Sequence, residues 1–174
     1  ALKVGAKIIN DIRGLQKTSE MAEVISRFNA GVVIMHMKGS PLTMQENPKY
    51  QNVVNDVKKF LAKSIKIAEK AGILPDQVAV DPGIGFGKSQ KHNLEILNNV
   101  EKFVELEKPI LLGISRKSFI GNILNLPPEG RLEGSLAASV IGVYKGASIL
   151  RTHDVKATRN AIRVAEAIIQ GENM

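Results

Sequence analysis

Residues 78–89 read Val-Ala-Val-Asp-Pro-Gly-Ile-Gly-Phe-Gly-Lys-Ser, an aliphatic run followed at once by an acid and three alternating glycines. The aliphatic run has the composition of a strand that is buried on both faces, as in parallel sheets. Leu94, Leu97 and Val100 follow at helical spacing and predict an amphipathic helix. A strand, a glycine-rich loop and a helix in this order make one βα unit, the building block of parallel α/β folds.

The same βα pattern occurs five times along the chain. Aliphatic stretches predict strands at 6–9, 32–35, 78–80, 110–112 and 147–150. Helical patterns follow these strands at 21–28, 53–68, 94–100, 132–143 and 161–169. Gly31 and Gly72 stand just after predicted helices, where a left-handed cap residue is common. The alternation predicts a single α/β domain over residues 1–174, and it fits an open doubly wound sheet as well as a (β/α)8 barrel.

Polar residues stand at the carboxyl end of every predicted strand. The five groups are Asn10-Asp11, His36, Asp81, Ser115-Arg116-Lys117 and Arg151 with His153-Asp154. Because the carboxyl ends of parallel strands lie on one face of an α/β fold, we expect these groups to converge. That face is the predicted active site.

The glycine loop matches neither of the common nucleotide-binding motifs. Pro82 stands where a phosphate-binding P-loop needs its first glycine, and Lys88 stands where the dinucleotide fingerprint needs its third. A carboxylate at Asp81 can instead accept two parallel hydrogen bonds from the ring amide and exocyclic amine of an amino-pyrimidine. Asn10, which donates and accepts, can complete such recognition. The structural alternatives are a plain turn for the glycines and a helix cap or ion pair for Asp81.

Two further groups carry candidate ligand-binding side chains. Lys117 can donate a hydrogen bond to a ring carbonyl or nitrogen, and Ser118 can bind a carboxylate; the alternative for this stretch is a solvated loop. Arg151 and His153 alternate along an extended segment, so both side chains point the same way and form a candidate diphosphate clamp. The alternative for this pair is a histidine at the edge of the core beside a surface arginine.

Composition narrows the class of protein. The 174 residues are 44% hydrophobic, include no cysteine and carry a formal net charge of +7. No run approaches the roughly 18 apolar residues of a membrane span, and no signal pattern is evident, so we expect a cytoplasmic protein that binds no membrane. The basic residues are scattered and few aromatic rings are available for stacking, which argues against nucleic acid. His36 is predicted to be a satisfied core histidine and His92 to lie in solvent.

Six blocks of sequence together resemble the dihydropteroate synthases along essentially the whole chain. The blocks are Ile8 to Asp11, Met35 to Pro41 with Thr43-Met44-Gln45, Asp81 to Lys88, Ser115 to Ser118, Gly134 to Ala137, and Arg151 to Val155. That family has a (β/α)8 barrel, so the resemblance favours a barrel over an open sheet. It implies that the chain is the C-terminal portion of such a barrel, with about five of the eight βα units.

The resemblance also implies a reaction and a set of site residues. Members of the family condense 6-hydroxymethyl-7,8-dihydropterin diphosphate with 4-aminobenzoate in folate biosynthesis, release diphosphate, and are sulfonamide targets. Of the substrate-binding positions that it implies, Lys117, Arg151 and His153 would be catalytic. The full substrate-binding set is Asn10, Met35, Asp81, Phe86, Lys117, Ser118, Arg151 and His153.

The resemblance further implies a cofactor and partners. The family uses Mg²⁺, and the ligand is expected in an amino-terminal loop that has no counterpart here, so we expect no metal ligand in this chain. Small-molecule substrates are the expected partners. Members of the family commonly form dimers, so a homodimer is compatible with the resemblance.

Two other functions fit part of the pattern. A related pterin-binding barrel transfers a methyl group from a reduced folate to a corrinoid protein; it would share Asn10 and Asp81 but has no reason to keep a diphosphate clamp. The other alternative is a noncatalytic fragment or binding module, since a partial barrel leaves strand edges unpaired.

Overall fold

The chain folds into alternating parallel strands and helices. A computed structural model describes residues 1–40, 44, 46 and 48–171, so Pro41, Thr43 and Gln45 of the second sequence block lie outside the described residues. The strands are β1 (Ile8–Asp11), β2 (Gly31–Met35), β3 (Val78–Asp81), β4 (Leu111–Leu112) and β5 (Ile149–Leu150). The helices are α1 (Ser19–Arg27), α2 (Val53–Lys70), α3 (Gln90–Asn98), α4 (Ser118–Leu124), α5 (Leu132–Tyr144) and α6 (Val155–Gln170).

The strands are all parallel and lie side by side in the order of the sequence. Strand β2 pairs with β1 and with β3, and β4 pairs with β5. A parallel bridge between Val80 and Ile110 joins the two sets. A doubly wound sheet needs a point where the strand order reverses, and these five strands have none. The order is that of consecutive strands in a barrel wall, which confirms the barrel expectation over the open sheet.

The longest helix, α2, illustrates why the sequence forms helices on one side of this wall. Its residues Val53, Val57, Leu61 and Ile65 are spaced by four positions and are buried against the strands. The side chain of Asn52 accepts a hydrogen bond of 2.9 Å from the backbone N–H of Asn55, a cap that stabilises a helix by about 1 kcal/mol.

Alternate residues of each strand face opposite sides of the wall. Val32, Ile34 and Val80 belong to the core that the strands form with the helices. Met35 and Asp81 are paired in register and have the other parity, so they face the concave side. By the same register Asn10 and Arg151 also belong to the concave side. Four of the predicted site residues therefore share one face: Asn10, Met35, Asp81 and Arg151.

Most elements differ by a few residues from their predicted bounds; α6, for example, begins at Val155 instead of 161. Three further differences change the role of a residue or add an element. Strand β1 lies two residues later than predicted, so Asn10 and Asp11 end the strand instead of following it. Gly31 begins β2, and Asn29, with φ of 48°, takes the left-handed position after α1. A sixth helix, α4, was not predicted because its seven residues are too few to establish a period.

Within the described part of the chain, no helix is both long enough and apolar enough to cross a membrane.

Candidate active site

Asp81 ends β3 at the concave face and is only 7% exposed. Its Oδ1 accepts a hydrogen bond of 2.7 Å from the backbone N–H of Gly83, so it fixes the start of the glycine loop instead of capping a helix. Burial raises the pKa of the Asp81 carboxyl, while the Gly83 hydrogen bond and the charges of Lys117, Lys88 and Arg151 lower it. The carboxylate therefore lies in the field of three cations from three different βα loops.

The glycine loop, residues 82–88, approaches neighbouring backbone too closely for side chains. Gly83 has φ of 70°, and a Cβ there would lie 1.9 Å from the carbonyl oxygen of His36. Gly87 has φ of 64°, and its Cβ would lie 2.3 Å from the carbonyl oxygen of Lys38. Both conditions require glycine. The alternative of a plain turn is wrong, because the loop is packed directly onto the end of β2.

Lys117 connects the glycine loop with the loop that follows β4. Its ammonium group donates a hydrogen bond to the carbonyl of Ile84 and lies 4.5 Å from the centre of the Phe86 ring. Burial lowers the pKa of Lys117 to about 8, with Asp81 opposing the shift and Arg151 adding to it. Lys117 is therefore a cationic donor whose charge changes just above neutral pH.

The predicted clamp residues line one cavity with Lys117. The cavity has a volume of about 220 Å³ and opens between the ends of β4 and β5. Its lining is Gly113, Ser115, Lys117, Arg151, Thr152 and His153. Arg151 and His153 are solvent-accessible there, so their donors are available to a ligand. The structure thus brings together the three residues that the resemblance implied to be catalytic.

Ser115 holds His153, a relationship that the sequence did not indicate. Ser115 is buried, and its Oγ lies 3.0 Å from Nδ1 of His153 and accepts the backbone N–H of His153 at 3.3 Å. When the hydroxyl donates to Nδ1, the ring proton resides on Nε2, where it serves as a donor.

Arg116 makes a second connection between the same two loops. Its guanidinium donates to both carboxylate oxygens of Asp154, at 3.0 and 2.7 Å. Its backbone has φ of 57° and its N–H donates to Ser135 Oγ at 2.8 Å. The hydrogen bond from Arg116 is the main cause that lowers the pKa of Asp154.

The remaining predicted residues lie around this centre. Met35 is buried beside Asp81 in the neighbouring strand. Asn10 is exposed in β1 and pairs with Val33, two rows closer to the amino end of the sheet than Met35. Ser118 is exposed and begins α4, directly after Lys117. Their contacts with a ligand stay predictions.

Two histidines and a lysine complete the description. The prediction for His36 is confirmed: it is buried, and its Nδ1 lies 2.9 Å from Nζ of Lys88. The prediction for His92 is wrong, because its ring is half-buried, stacks edge-on against Tyr50 at 4.9 Å and caps α3 with Ser89. Lys88 is only 2% exposed and was missed, since lysine is among the residues least often buried.

The described residues contain no cluster of three or more His, Asp or Glu side chains that could hold a metal ion.

The family model described as "Pterin binding enzyme" matches residues 1–153. The chain belongs to this family of pterin-binding enzymes. The dihydropteroate synthase of Escherichia coli K12 is 45% identical over 170 residues, which are 98% of this chain and 60% of that protein. The chain thus spans about three fifths of the length of this curated relative.

Solved structures of the same kind of enzyme superimpose closely on the chain. The dihydropteroate synthase of Yersinia pestis in a sulfonamide drug complex has a TM-score of 0.93 and 39% identity, over 98% of this chain and 62% of that one. The Thermus thermophilus enzyme in complex with 4-aminobenzoate has a TM-score of 0.91 and 40% identity, over 97% and 68% of the two chains. The fold of this chain is that of a partial (β/α)8 barrel.

Proposed function

We propose that the protein containing this chain is a dihydropteroate synthase. It joins 6-hydroxymethyl-7,8-dihydropterin diphosphate to 4-aminobenzoate and produces 7,8-dihydropteroate and diphosphate. The observation that carries the proposal is the position of the buried Asp81 carboxylate beside a cavity lined by Lys117, Arg151 and His153. A carboxylate suits the donor edge of a pterin, and the adjacent cations suit a diphosphate.

The pterin binds by its amino-pyrimidine edge. Asp81 accepts hydrogen bonds from the ring N–H and the exocyclic amine, and Lys117 and Asn10 contact the remaining polar atoms of the heterocycle. Met35 packs against the ring. The Gly83 N–H already occupies one position on Oδ1 of Asp81, which fixes the carboxylate before the ligand arrives.

The reaction is a displacement at the methylene carbon of the pterin. The bond from this carbon to the diphosphate oxygen breaks, the nitrogen of 4-aminobenzoate bonds to the carbon, and the amine loses one proton to solvent. Negative charge that grows on the departing oxygen is met by Arg151 and by the Nε2–H of His153. The electron-rich pterin spreads the positive charge of the carbon, so no dedicated general base is required.

4-Aminobenzoate occupies the space beside the glycine loop. The Phe86 ring, held against the Lys117 ammonium, borders the aromatic ring, and Ser118 at the start of α4 donates to the carboxylate. The likeness to the Thermus thermophilus enzyme in complex with 4-aminobenzoate supports this assignment. The likeness to the Yersinia pestis sulfonamide complex supports sulfonamides as competitors for the same space.

Further parts of the proposal concern the whole protein. Residues 1–174 form one domain, the C-terminal portion of a pterin-binding barrel, and the family's magnesium is held by residues outside this chain. The protein works in the cytoplasm on small molecules and pairs as a homodimer. The methyl-transferring alternative is weaker because it leaves the clamp residues Arg151 and His153 without a ligand. A noncatalytic role is weaker because those residues and Lys117 line a cavity instead of a flat surface.

Binding of pterin diphosphate to Asp81→Ala tests the proposal. Calorimetry on the complete protein should show an affinity about 10- to 100-fold lower, since hydrogen bonds to a charged group are lost. Asp76→Ala is the matched control, because Asp76 is exposed before the amino end of β3. Equal affinities for both variants, or no formation of dihydropteroate by the parent, would exclude the proposed function.

A further inference from the structure

Lys88 ends the glycine loop, and its side chain turns back beneath that loop. Its ammonium group donates to the carbonyls of Gly83 and Phe86 at 2.8 and 3.0 Å and to Nδ1 of His36 at 2.9 Å. The carbonyl of His36 is a fourth, weaker acceptor at 3.5 Å. An ammonium group has three N–H donors, so these acceptors use all of them. Lys88 therefore has no donor left for a ligand and can act only through its neighbours.

These contacts fix both sides of Gly83. The N–H of Gly83 donates to Oδ1 of Asp81, and its carbonyl accepts from Lys88. The Cα of Gly83 packs against the His36 carbonyl, which leaves no room for a side chain. Lys88 thus ties the loop that borders Asp81 to the end of β2.

The charge of Lys88 is held at some expense of stability. A buried ammonium group is poorly solvated, and a methionine of similar length would fill the same space without that penalty. Within the described residues, no carboxylate lies close enough to Lys88 to form an ion pair. Burial lowers the pKa of Lys88 to about 7, and Asp81 is the group that opposes the shift. A cation kept under these conditions points to a role in the site.

We propose that Lys88 is a positioning residue of the pterin site, where it anchors the glycine loop to β2 and keeps the Asp81 carboxylate ionised and in place. This inference rests on the proposed pterin site. The cations around Asp81 differ in whether they can contact a bound ligand. Lys117 and Arg151 line the ligand cavity, whereas the Lys88 ammonium group is bonded to the protein and, below its pKa of about 7, adds a positive charge beside Asp81 whether or not a ligand is bound.

The sign of the effect follows from the charge. Without the Lys88 cation the pKa of Asp81 rises, so the carboxyl becomes protonated at a higher pH and loses its capacity to accept two donors. Pterin binding in the variant is then lost earlier as the pH falls. The other groups near Lys88 and Asp81 should not produce the same shift of the binding curve. Burial lowers the pKa of His36 to about 3, and Lys117 is unchanged in the variant.

The test measures the affinity of the complete protein for the bare pterin alcohol at acidic pH, below the pKa of about 7 of Lys88, so that the parent carries the Lys88 charge throughout. Lys88→Met removes the charge and the donors, and Lys88→Gln keeps N–H donors without the charge. Both should move the acidic limb of the binding curve upward by about one pH unit. Lys91→Met, on the exposed side of α3, is the matched control and should keep the parental curve.

The outcomes separate this inference from the function on which it rests. If the parent does not bind the pterin, the proposed function fails. If the parent binds and the acidic limb is unmoved in the Lys88 variants, the positioning role is overturned, including the case in which affinity falls equally at every pH. Circular dichroism verifies folding, and the Gln variant decides the matter if the Met variant does not fold.

Discussion

Ser115 and His153 lie in the loops that follow the neighbouring strands β4 and β5, and their side chains meet, with Oγ 3.0 Å from Nδ1. Ser115→Ala should weaken pterin diphosphate about 5-fold, as expected for one neutral hydrogen bond, and leave the bare pterin unaffected. Calorimetry with the two ligands measures the difference. Ser148→Ala, exposed before β5, is the control. Equal losses for both ligands would contradict an orienting role for Ser115.

Arg151→Ala should reduce affinity for pterin diphosphate by about 10- to 100-fold, because a charged donor to the leaving group is lost. Bare pterin should lose much less. The matched variant is Arg159→Ala, which removes an exposed arginine from α6. A parallel loss for bare pterin would show that Arg151 serves the heterocycle and not the diphosphate.

The ion pair between Arg116 and Asp154 should matter more for catalysis than for stability. Both side chains reach solvent, so Asp154→Asn should leave the free energy of unfolding nearly unchanged. The rate at saturating substrate should fall, because the pair aligns the loops of Lys117 and His153. Chemical denaturation and steady-state kinetics give the two numbers. A large loss of stability with an unchanged rate would reverse this assignment.

Lys117 should make the affinity for pterin diphosphate decline at basic pH, which gives the plot of affinity against pH a basic limb. Its pKa is lowered by burial to about 8, so its charge is lost as the pH rises through that value and affinity should decline there. The Lys117→Met variant should lack this limb, whereas Lys102→Met, at an exposed position, should keep it. A limb that persists without Lys117 belongs to another group.

The same shift of the Lys117 pKa has a consequence for stability with the opposite sign. The ordinary pKa of lysine is 10.5, so between about pH 8 and that value the unfolded chain binds more protons at this position than the folded chain does. The contribution of Lys117 to the free energy of unfolding therefore increases with pH in this window. Ligand binding and stability should diverge above about pH 8.

Gly83→Ala should destabilise the fold by more than about 2 kcal/mol, because a Cβ would collide with backbone and the left-handed conformation is unfavourable. Gly5→Ala separates the two causes. Gly5 has φ of 101° but open space around it, so only the conformational penalty applies. Thermal unfolding of the two variants measures the difference. Similar losses would mean that the loop moves away from β2 and accepts the methyl group.

The repeated part of the architecture was predictable from the sequence. Strand β3, the glycine loop and α3 follow from an aliphatic run, dense glycine and a helical period, all of which are local signals. The convergence of Asp81, Lys117 and Arg151 followed from one rule about parallel strands, that their carboxyl ends share a face. The choice of a barrel required the resemblance, because periodicity alone does not fix strand order.

The supporting contacts could not be predicted, since each depends on two loops that are distant in sequence. The contacts of Ser115 with His153 and of Arg116 with Asp154 require that β4 and β5 pair first. The burial of Lys88 runs against the general rule that lysine stays in solvent. Its ammonium group is bonded to two carbonyls of the glycine loop and to His36, which follows β2. Helix α4 is too short for a period and is stabilised by the burial of Phe119 and Ile120.

Gly83 and Gly87 pack onto backbone at the end of β2, so the two sides of the binding surface should differ in how readily they accept substitutions. At Gly83 and Gly87 a single substitution has almost no neutral route to a new shape, since a Cβ at either position would strike another main chain. Where a pair of side chains forms the wall of the site, as Ser115 and His153 do, substitution of one partner can change the shape of the wall without a backbone clash. Variation that alters ligand preference should therefore accumulate on the β4 and β5 side of the mouth and spare the β3 side.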